Sequence, residues 1–234
     1  MSVGVLRALI GNELKDLGKN RTNLLLVAIA ILLPLVTGSL GGAQKPPVWQ
    51  IMPFWIVYAQ VIVAMTLVSL SLAEEREKRT LEAVLVSPAT LWDVVVAKLL
   101  FATAVTMVVL VVMLGLSRAL VGDALGLGIV LILGTVFAAG VGLVIGFYAR
   151  NQKTAGAISS PVMLLLFLGP MAGNAVPALR PVLEYSPSTN VIQLSIDALQ
   201  GKPFPTHPRD FWLLLGWAMA FLIWGYFGAR RQSA

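Results

Sequence analysis

The residues best suited to chemistry in this sequence form a run of charges followed by an apolar stripe. Within residues 74–80, six of seven side chains are charged, and acids are interleaved with bases. Leu81, Val84 and Leu85 then recur at the spacing that places side chains on one face of a helix, and Ser87-Pro88 ends the pattern. A short helix with an apolar stripe and a charged rim suits docking into a groove of a soluble partner protein.

The acidic residues of this run favour docking over a simpler explanation. A cytoplasmic loop that only fixes membrane orientation needs Lys and Arg, but it needs no acids. The run nevertheless contains Glu74, Glu75, Glu77 and Glu82. Because both signs are interleaved, we predict a specific protein contact.

The chain lacks the residues that most catalytic mechanisms require. It has no cysteine, and its one histidine, His207, stands between prolines, where we expect it to be solvated. Thiolate sites and histidine relays are therefore excluded or nearly so. The nucleotide-binding P-loop is also absent, since neither Gly18-Lys19 nor Gly201-Lys202 is followed by Ser or Thr. We expect no catalytic residue, no metal site and no cofactor bound by this chain.

Three glycines, Gly140, Gly142 and Gly146, come closest to a dinucleotide fingerprint. They lie inside a long apolar run and not between a strand and a helix, as such a fingerprint requires. Small residues in an apolar run allow two helices to approach closely. We therefore predict helix packing at these glycines.

These residues must be positioned by membrane helices. The 234 residues are 58% hydrophobic and 12% charged, whereas soluble domains are about 25% charged. We predict an all-α integral membrane protein that forms a single domain over residues 1–234. Six runs approach or exceed the roughly 20 apolar residues that a span requires. They cover residues 22–40, 51–73, 92–117, 124–149, 154–173 and 211–228.

Charge distribution predicts the orientation of these spans. An even number of spans places both termini on one side, and most of the 17 basic residues then fall on that side. The positive-inside rule therefore predicts that both termini are cytoplasmic. Asp93 and Lys98 lie near one end of the third span, where we expect the lysine to extend to the membrane interface.

Two further segments have helical patterns. Apolar residues recur at helical spacing in residues 1–21, which predicts an amphipathic helix in the cytoplasmic interface; a charged lead-in to the first span is the alternative. Residues 174–207 form the longest outer connection. Its Ser-Pro-Ser-Thr-Asn cluster, residues 186–190, predicts a helix start, followed by a short amphipathic helix from Val191 to Gln200.

The order of these motifs resembles the permease subunits of type-2 ATP-binding-cassette (ABC) exporters. In that family the loop after the second span reads roughly E-R-E-x-G-T-L-E-x-L-L-x-[ST]-P, and the next span has K-L-L near its start. Arg79 stands where the family usually has glycine. The matching residues are Glu75-Arg76-Glu77, Thr80-Leu81-Glu82, Leu85, Ser87-Pro88 and Lys98-Leu99-Leu100.

The resemblance implies a multi-pass permease of a prokaryotic cytoplasmic (inner) membrane. Its partners would be ABC ATPase subunits, a second permease copy or paralogue, and membrane lipid, with no nucleic acid. ATP and Mg would be bound by the ATPase. Residues 74–90 would form a coupling helix, and 174–207 an outer re-entrant segment. The implied ATPase-coupling residues are Glu75, Arg76, Glu77, Arg79, Thr80, Leu81, Glu82 and Leu85.

Polar side chains within the spans are candidates for the substrate pathway, because they are costly when they face lipid. The candidates are Gln60, Thr66, Thr103 and Thr106. Hydrogen bonds between helices would explain the same residues equally well. The mostly neutral set mildly favours a lipid, glycan, lipophilic drug or hydrophobic peptide as substrate.

Two other functions fit parts of the sequence. The first is a permease for haem or cofactor export in cytochrome maturation, which shares the six-span plan and the ATPase partnership. The second is a channel or a membrane assembly scaffold that is not driven by ATP. The mixed-charge run argues against the second, because such a protein needs no ATPase docking surface.

Overall fold

The computed structural model describes residues 3–40, 47–78, 91–119 and 122–230, which form helices without any β-strand. The predicted all-α fold is therefore confirmed. Residues Pro177–Leu179 form a short 3₁₀ turn. The helices are α1 (Val3–Lys19), α2 (Arg21–Leu40), α3 (Val48–Glu77), α4 (Leu91–Leu116), α5 (Ala124–Tyr148), α6 (Gln152–Ala175), α7 (Arg180–Leu183), α8 (Pro187–Leu199) and α9 (Pro208–Arg230).

Five helices are long and apolar enough to cross a membrane, namely α3, α4, α5, α6 and α9. Helices α1 and α2 pass the same test only as a bent pair, which would make a sixth span. The chain is therefore a multi-pass membrane protein with five or six spans. The six-span count and the cytoplasmic termini remain predictions.

The bend between α1 and α2 has a local cause. The Asn20 side-chain oxygen accepts hydrogen bonds from the backbone N–H groups of Thr22 (3.0 Å) and Asn23 (3.4 Å). Asparagine is a preferred residue at this capping position, so α2 begins as a separate helix at Arg21. The two helices meet at 82°. Such an angle would allow α1 to lie along a membrane surface while α2 enters it, and the interfacial position of α1 stays a prediction.

Helix α5 is buried over most of its length, between α3 on one side and α9 on another. Glycine permits the close approach to α3. A Cβ atom on Gly142 would lie 2.5 Å from the Met65 carbonyl oxygen, and one on Gly146 would lie 2.8 Å from Leu72 Cβ. Close packing at these glycines is therefore confirmed.

Helix α3 contains a wider π-helical turn, Gln60–Met65, in which every residue is buried. Its 30 residues span about 45 Å at 1.5 Å per residue, against about 30 Å for the hydrocarbon core. The last turns of α3 can therefore extend beyond the membrane. We expected the second span to end at residue 73, but the helix continues through the charged residues to Glu77.

Helix α8 packs against α3, α5 and α9 at the opposite end of the bundle. It begins at Pro187, within the cluster that predicts a helix start, because proline suits the first turn of a helix, where no intrahelical N–H bond is lost. Its end is followed by Gly201, whose φ of 72° is a conformation that favours glycine.

Candidate functional site

A buried lysine joins three helices near the charged end of α3. The Lys98 side chain on α4 is 1% exposed, and its Nζ lies 2.8 Å from Glu75 Oε1 on α3. It also contacts the carboxylate of Glu13 on α1 and the hydroxyl of Ser71. Lys98 therefore ends among side chains of this chain, and its extension to the membrane interface stays a prediction. The two carboxylates offset the free-energy cost of removing the lysine charge from water.

Ser71 completes this ion-pair network. Its hydroxyl also lies 3.2 Å from Glu13 Oε2, and Ser71 and Glu75 are separated by one helical turn, so their side chains share a face. The Glu13 side chain is 16% exposed. The network therefore holds α1 against both α3 and α4.

Arg76 connects α3 to the end of α5. Its Nη1 donates hydrogen bonds to the carbonyl oxygens of Phe147 and Ala149, the latter at 2.6 Å. The last carbonyls of a helix lack intrahelical partners, and they carry the negative end of the helix dipole. The guanidinium group therefore satisfies and stabilises the C-terminus of α5.

Two acidic residues connect α3 to the start of α6. Glu77 Oε2 accepts a hydrogen bond from the backbone N–H of Gln152 (3.2 Å), and Glu74 Oε2 accepts one from Gln152 Nε2 (2.7 Å). Acidic groups are favourable at a helix N-terminus. Glu74 also pairs with the exposed Lys78, and this contact raises the pKa of Lys78 above its ordinary value.

These contacts form one polar hub at the end of α3. The hub ties α3 to α1, α4, α5 and α6, immediately before residues 79–90. A displacement of the α3 end must therefore act on four other helices. The hub comprises Glu13, Ser71, Glu74, Glu75, Arg76, Glu77, Lys98 and Gln152.

A cavity of about 730 Å³ opens beside the hub and is lined by residues of α1, α2, α3, α4 and α6. Its lining combines apolar residues, among them Leu67, Leu70 and Phe101, with acidic and basic side chains from α1 and α3. The charged end of α3 is thus bordered by a recess as well as by paired side chains.

The predicted coupling residues divide into two groups. Glu75, Arg76 and Glu77 lie in the last turns of α3, and the structure brings all three into the hub. Their contacts are with other helices of this chain, which the sequence pattern did not indicate. The remaining predicted residues lie outside the described part of the chain: Arg79, Thr80, Leu81, Glu82 and Leu85.

Sequence reasoning missed Glu13, Ser71, Lys98 and Gln152 as members of this site. A lysine in an otherwise apolar run signals a buried partner, and that signal was present in the sequence. The partners could not be identified, because Glu13 precedes Lys98 by 85 residues and only the fold brings them together.

The four pathway candidates occupy two helices. Gln60 is 2% exposed, and its Nε2 donates a hydrogen bond to the Leu131 carbonyl oxygen of α5 at 3.2 Å. Thr66 and Thr103 are half-buried. Thr106 is fully buried, and its hydroxyl has no hydrogen-bond partner among the described residues. The Gln60 contact is the interhelical hydrogen bond that was the alternative to a pathway role.

We expected His207 to be a solvated loop residue. It is partly exposed, but it also pairs with an acid. Its Nδ1 lies 2.6 Å from Asp197 Oδ2, while Lys202 Nζ lies 2.8 Å from the other oxygen of that carboxylate. The Asp197 side chain is 5% exposed. Two neighbouring groups thus pair with a buried acid, so this histidine helps to hold the segment that joins α8 to α9.

Comparison with known protein families shows to which family this chain belongs. The model of a family described as ABC-2 family transporter protein matches residues 22–227. The chain belongs to the ABC-2 transporter family. A comparison with curated proteins found no match.

The family assignment places the hub in a functional context. ABC-2 permeases are membrane subunits, generally without catalytic residues, that work with ABC ATPase subunits. The matched residues include the hub members of α3, α4 and α6. Glu13 precedes the matched range, so the α1 arm of the hub lies outside the part of the chain that shows the family.

Proposed function

We propose that the chain is the permease subunit of an ATP-driven ABC exporter of a prokaryotic cytoplasmic membrane. Two such subunits, identical or paralogous, would form the substrate pathway. Separate ATPase subunits would bind ATP and Mg and dock on the helix at residues 74–88. The ABC-2 family match over residues 22–227 is the observation that supports this proposal.

The hub supplies the route by which movement would spread. In this proposal, ATP binding closes the ATPase dimer and displaces the docked helix together with the end of α3. Because the hub ties that end to α1, α4, α5 and α6, these helices move with it as rigid bodies. ATP must favour one arrangement over the other for this shift to occur.

The orientation follows from the same proposal. With six spans and cytoplasmic termini, the hub and the α1 helix would face the ATPases, and α8 would lie on the outer side. A channel or an assembly scaffold is less well supported, because the family match is to transporters.

Copurification followed by coupled assays tests this function. The chain should copurify with a P-loop ATPase, for example one encoded by a neighbouring reading frame. In the reconstituted complex, Glu82→Gln and Arg76→Gln should reduce transport per ATP hydrolysed. Glu184→Gln, an exposed acid at the opposite end, is the matched control and should leave coupling unchanged. Absence of any ATPase companion, or intact coupling in both variants, would contradict the proposal.

A further inference from the structure

The middle of α3 departs from the regular α-helix. Its π-helical turn, Gln60–Met65, has 12 α-helical residues before it, Val48–Ala59, and 12 after it, Thr66–Glu77. A π turn closes hydrogen bonds between residues five apart, whereas an α turn closes them between residues four apart. Such turns are rare, and they occur frequently at functional sites. The one in α3 divides the helix into two halves of equal length.

The backbone hydrogen bonds change their spacing at both edges of the turn. Before it, the N–H of Gln60 is shared between the carbonyl oxygens of Ile56 and Val57. After it, the N–H of Thr66 donates to the carbonyl oxygen of Val63, only three residues earlier. A regular succession of hydrogen bonds resists bending, whereas sharp kinks in helices occur at π turns. This stretch is therefore the part of α3 that bends most easily.

Helix α5 contacts the turn at both of its ends. The Gln60 side-chain amide donates to the Leu131 carbonyl oxygen at 3.2 Å. At the other end, a Cβ atom on Gly142 would lie 2.5 Å from the Met65 carbonyl oxygen. A π turn is wider than an α turn, so its backbone comes closer to the neighbouring helix, and glycine permits that approach. The α5 surface is therefore shaped for the π turn and not for a regular helix.

The two halves of α3 have different attachments. The second half ends at the hub, which connects it to α1, α4, α5 and α6. The first half packs against α2 and α8. Along α3, a displacement of the hub therefore reaches the first half only through the π turn.

We propose that the π-helical turn is the hinge of α3. The second half changes its angle together with the hub, while the first half stays packed against α8. Hinges are a few residues that absorb large backbone changes, and the irregular hydrogen bonds of Gln60–Met65 absorb this one. The use of the hinge in transport rests on the function proposed above, whereas the bending of α3 itself does not.

A single-residue deletion tests the hinge. Because a π turn holds one residue more than the α turn that it replaces, removing one residue restores a regular helix without rotating the flanking halves. Ala64 has the smallest side chain of the turn, so its deletion disturbs the packing least. The deleted protein should fold, with an unfolding midpoint close to that of the unchanged protein.

Deletion of Ala73 is the matched control, because it removes a buried alanine from the α-helical second half. It rotates the charged end of α3 by about 100°, so the hub contacts should be lost and the midpoint should fall strongly. If the Ala64 deletion does not fold, deletion of Val63 replaces it. Failure of both to fold would overturn the proposal, because a π turn must tolerate the loss of its additional residue.

Gly142→Ala shows whether the deletion has removed the π turn. In the unchanged protein the added methyl group meets the Met65 carbonyl, so the midpoint should fall. After deletion of Ala64 the carbonyl withdraws, and the same substitution should lower the midpoint much less. An equal fall in both proteins would show that the close contact does not depend on the π turn, and it would overturn the proposal.

Bending is measured as the distribution of distances between spin labels at the two ends of α3. The chain has no cysteine, so labels attach only at the introduced pair Trp49→Cys and Lys78→Cys, both at exposed positions. With the full chain in phosphatidylcholine nanodiscs, the distribution should be broad for the unchanged turn and narrower after deletion of Ala64. Equal widths would overturn the proposal.

The role of the hinge in transport is tested in the reconstituted complex with the ATPase. Deletion of Ala64 should remove most of the transport per ATP hydrolysed, although the protein is folded and its hub is intact. Normal coupling in the deleted protein would overturn the role of the hinge. If the unchanged complex does not transport, the proposed function fails instead, and the distance measurement still decides the hinge because it needs no ATPase.

Discussion

Buried polar groups near the two ends of α3 differ in whether they have hydrogen-bond or ion-pair partners. At the hub, Lys98 contacts two carboxylates and Arg76 caps the end of α5. At the other end of α3, the Asn190 amide and the Thr189 hydroxyl of α8 have no partner in the described part of the chain. Paired groups fix a junction that can transmit movement, whereas unpaired buried groups join no elements and cost stability. The hub should therefore be sensitive to substitution, and Asn190 should tolerate an apolar replacement of similar size.

Among the replacements considered, that of Lys98 should reduce the stability of the protein most. Lys98→Met leaves Glu13 and Glu75 close together without their cation, and such a loss costs about 3–5 kcal/mol of unfolding free energy. Thermal unfolding of the purified protein measures this. Lys78→Met is the control, because Lys78 lies on the surface and exposed pairs contribute little.

A combined variant sharpens this prediction. When Lys98→Met is joined to Glu13→Gln and Glu75→Gln, no unpaired charge remains, so a substantial part of the lost stability should return. If the triple variant is as unstable as Lys98→Met alone, packing of the lysine stem and not its charge holds the three helices together.

Replacement of Arg76 should have the next largest effect. Arg76→Gln removes two charged hydrogen bonds to the α5 C-terminus, and we expect a loss of about 2 kcal/mol. Arg180→Gln at the remote end, where the side chain is 73% exposed, serves as the control in the same unfolding experiment. Equal effects of the two variants would show that the α5 contact contributes nothing.

A smaller effect is expected where α5 meets the π-helical turn of α3. Gly142→Ala places a methyl group against the Met65 carbonyl, and the resulting shift should cost roughly 1–2 kcal/mol. Gly128→Ala lies in the same helix with open space around it, so it should be neutral or stabilising by up to about 1 kcal/mol. The unfolding midpoint of Gly142→Ala should therefore fall, and that of Gly128→Ala should stay the same or rise.

The sequence allowed the helices to be predicted better than the contacts between them. Long apolar runs identify spans because the membrane core requires them, and the glycines of α5 indicated close packing. The sequence predicted a separate coupling helix from residue 74, but not that Glu74 to Glu77 continue α3, since a change from apolar to charged residues marks the end of a span in either case. Nor could the hub, because Lys98 finds Glu13 and Glu75 only after α1, α3 and α4 have packed together.

Replacement of Gln60 should have the smallest effect on stability and distinguishes two roles for this residue. Gln60→Leu removes one hydrogen bond to the α5 backbone, and interhelical bonds in membranes average about 0.6 kcal/mol. A packing role predicts this small loss with unchanged transport in the reconstituted complex. A pathway role predicts reduced transport at nearly unchanged stability. Since the Gln60 amide already contacts Leu131, the packing role is the expected result, and reduced transport would show that this hydrogen bond is exchanged for one to the substrate.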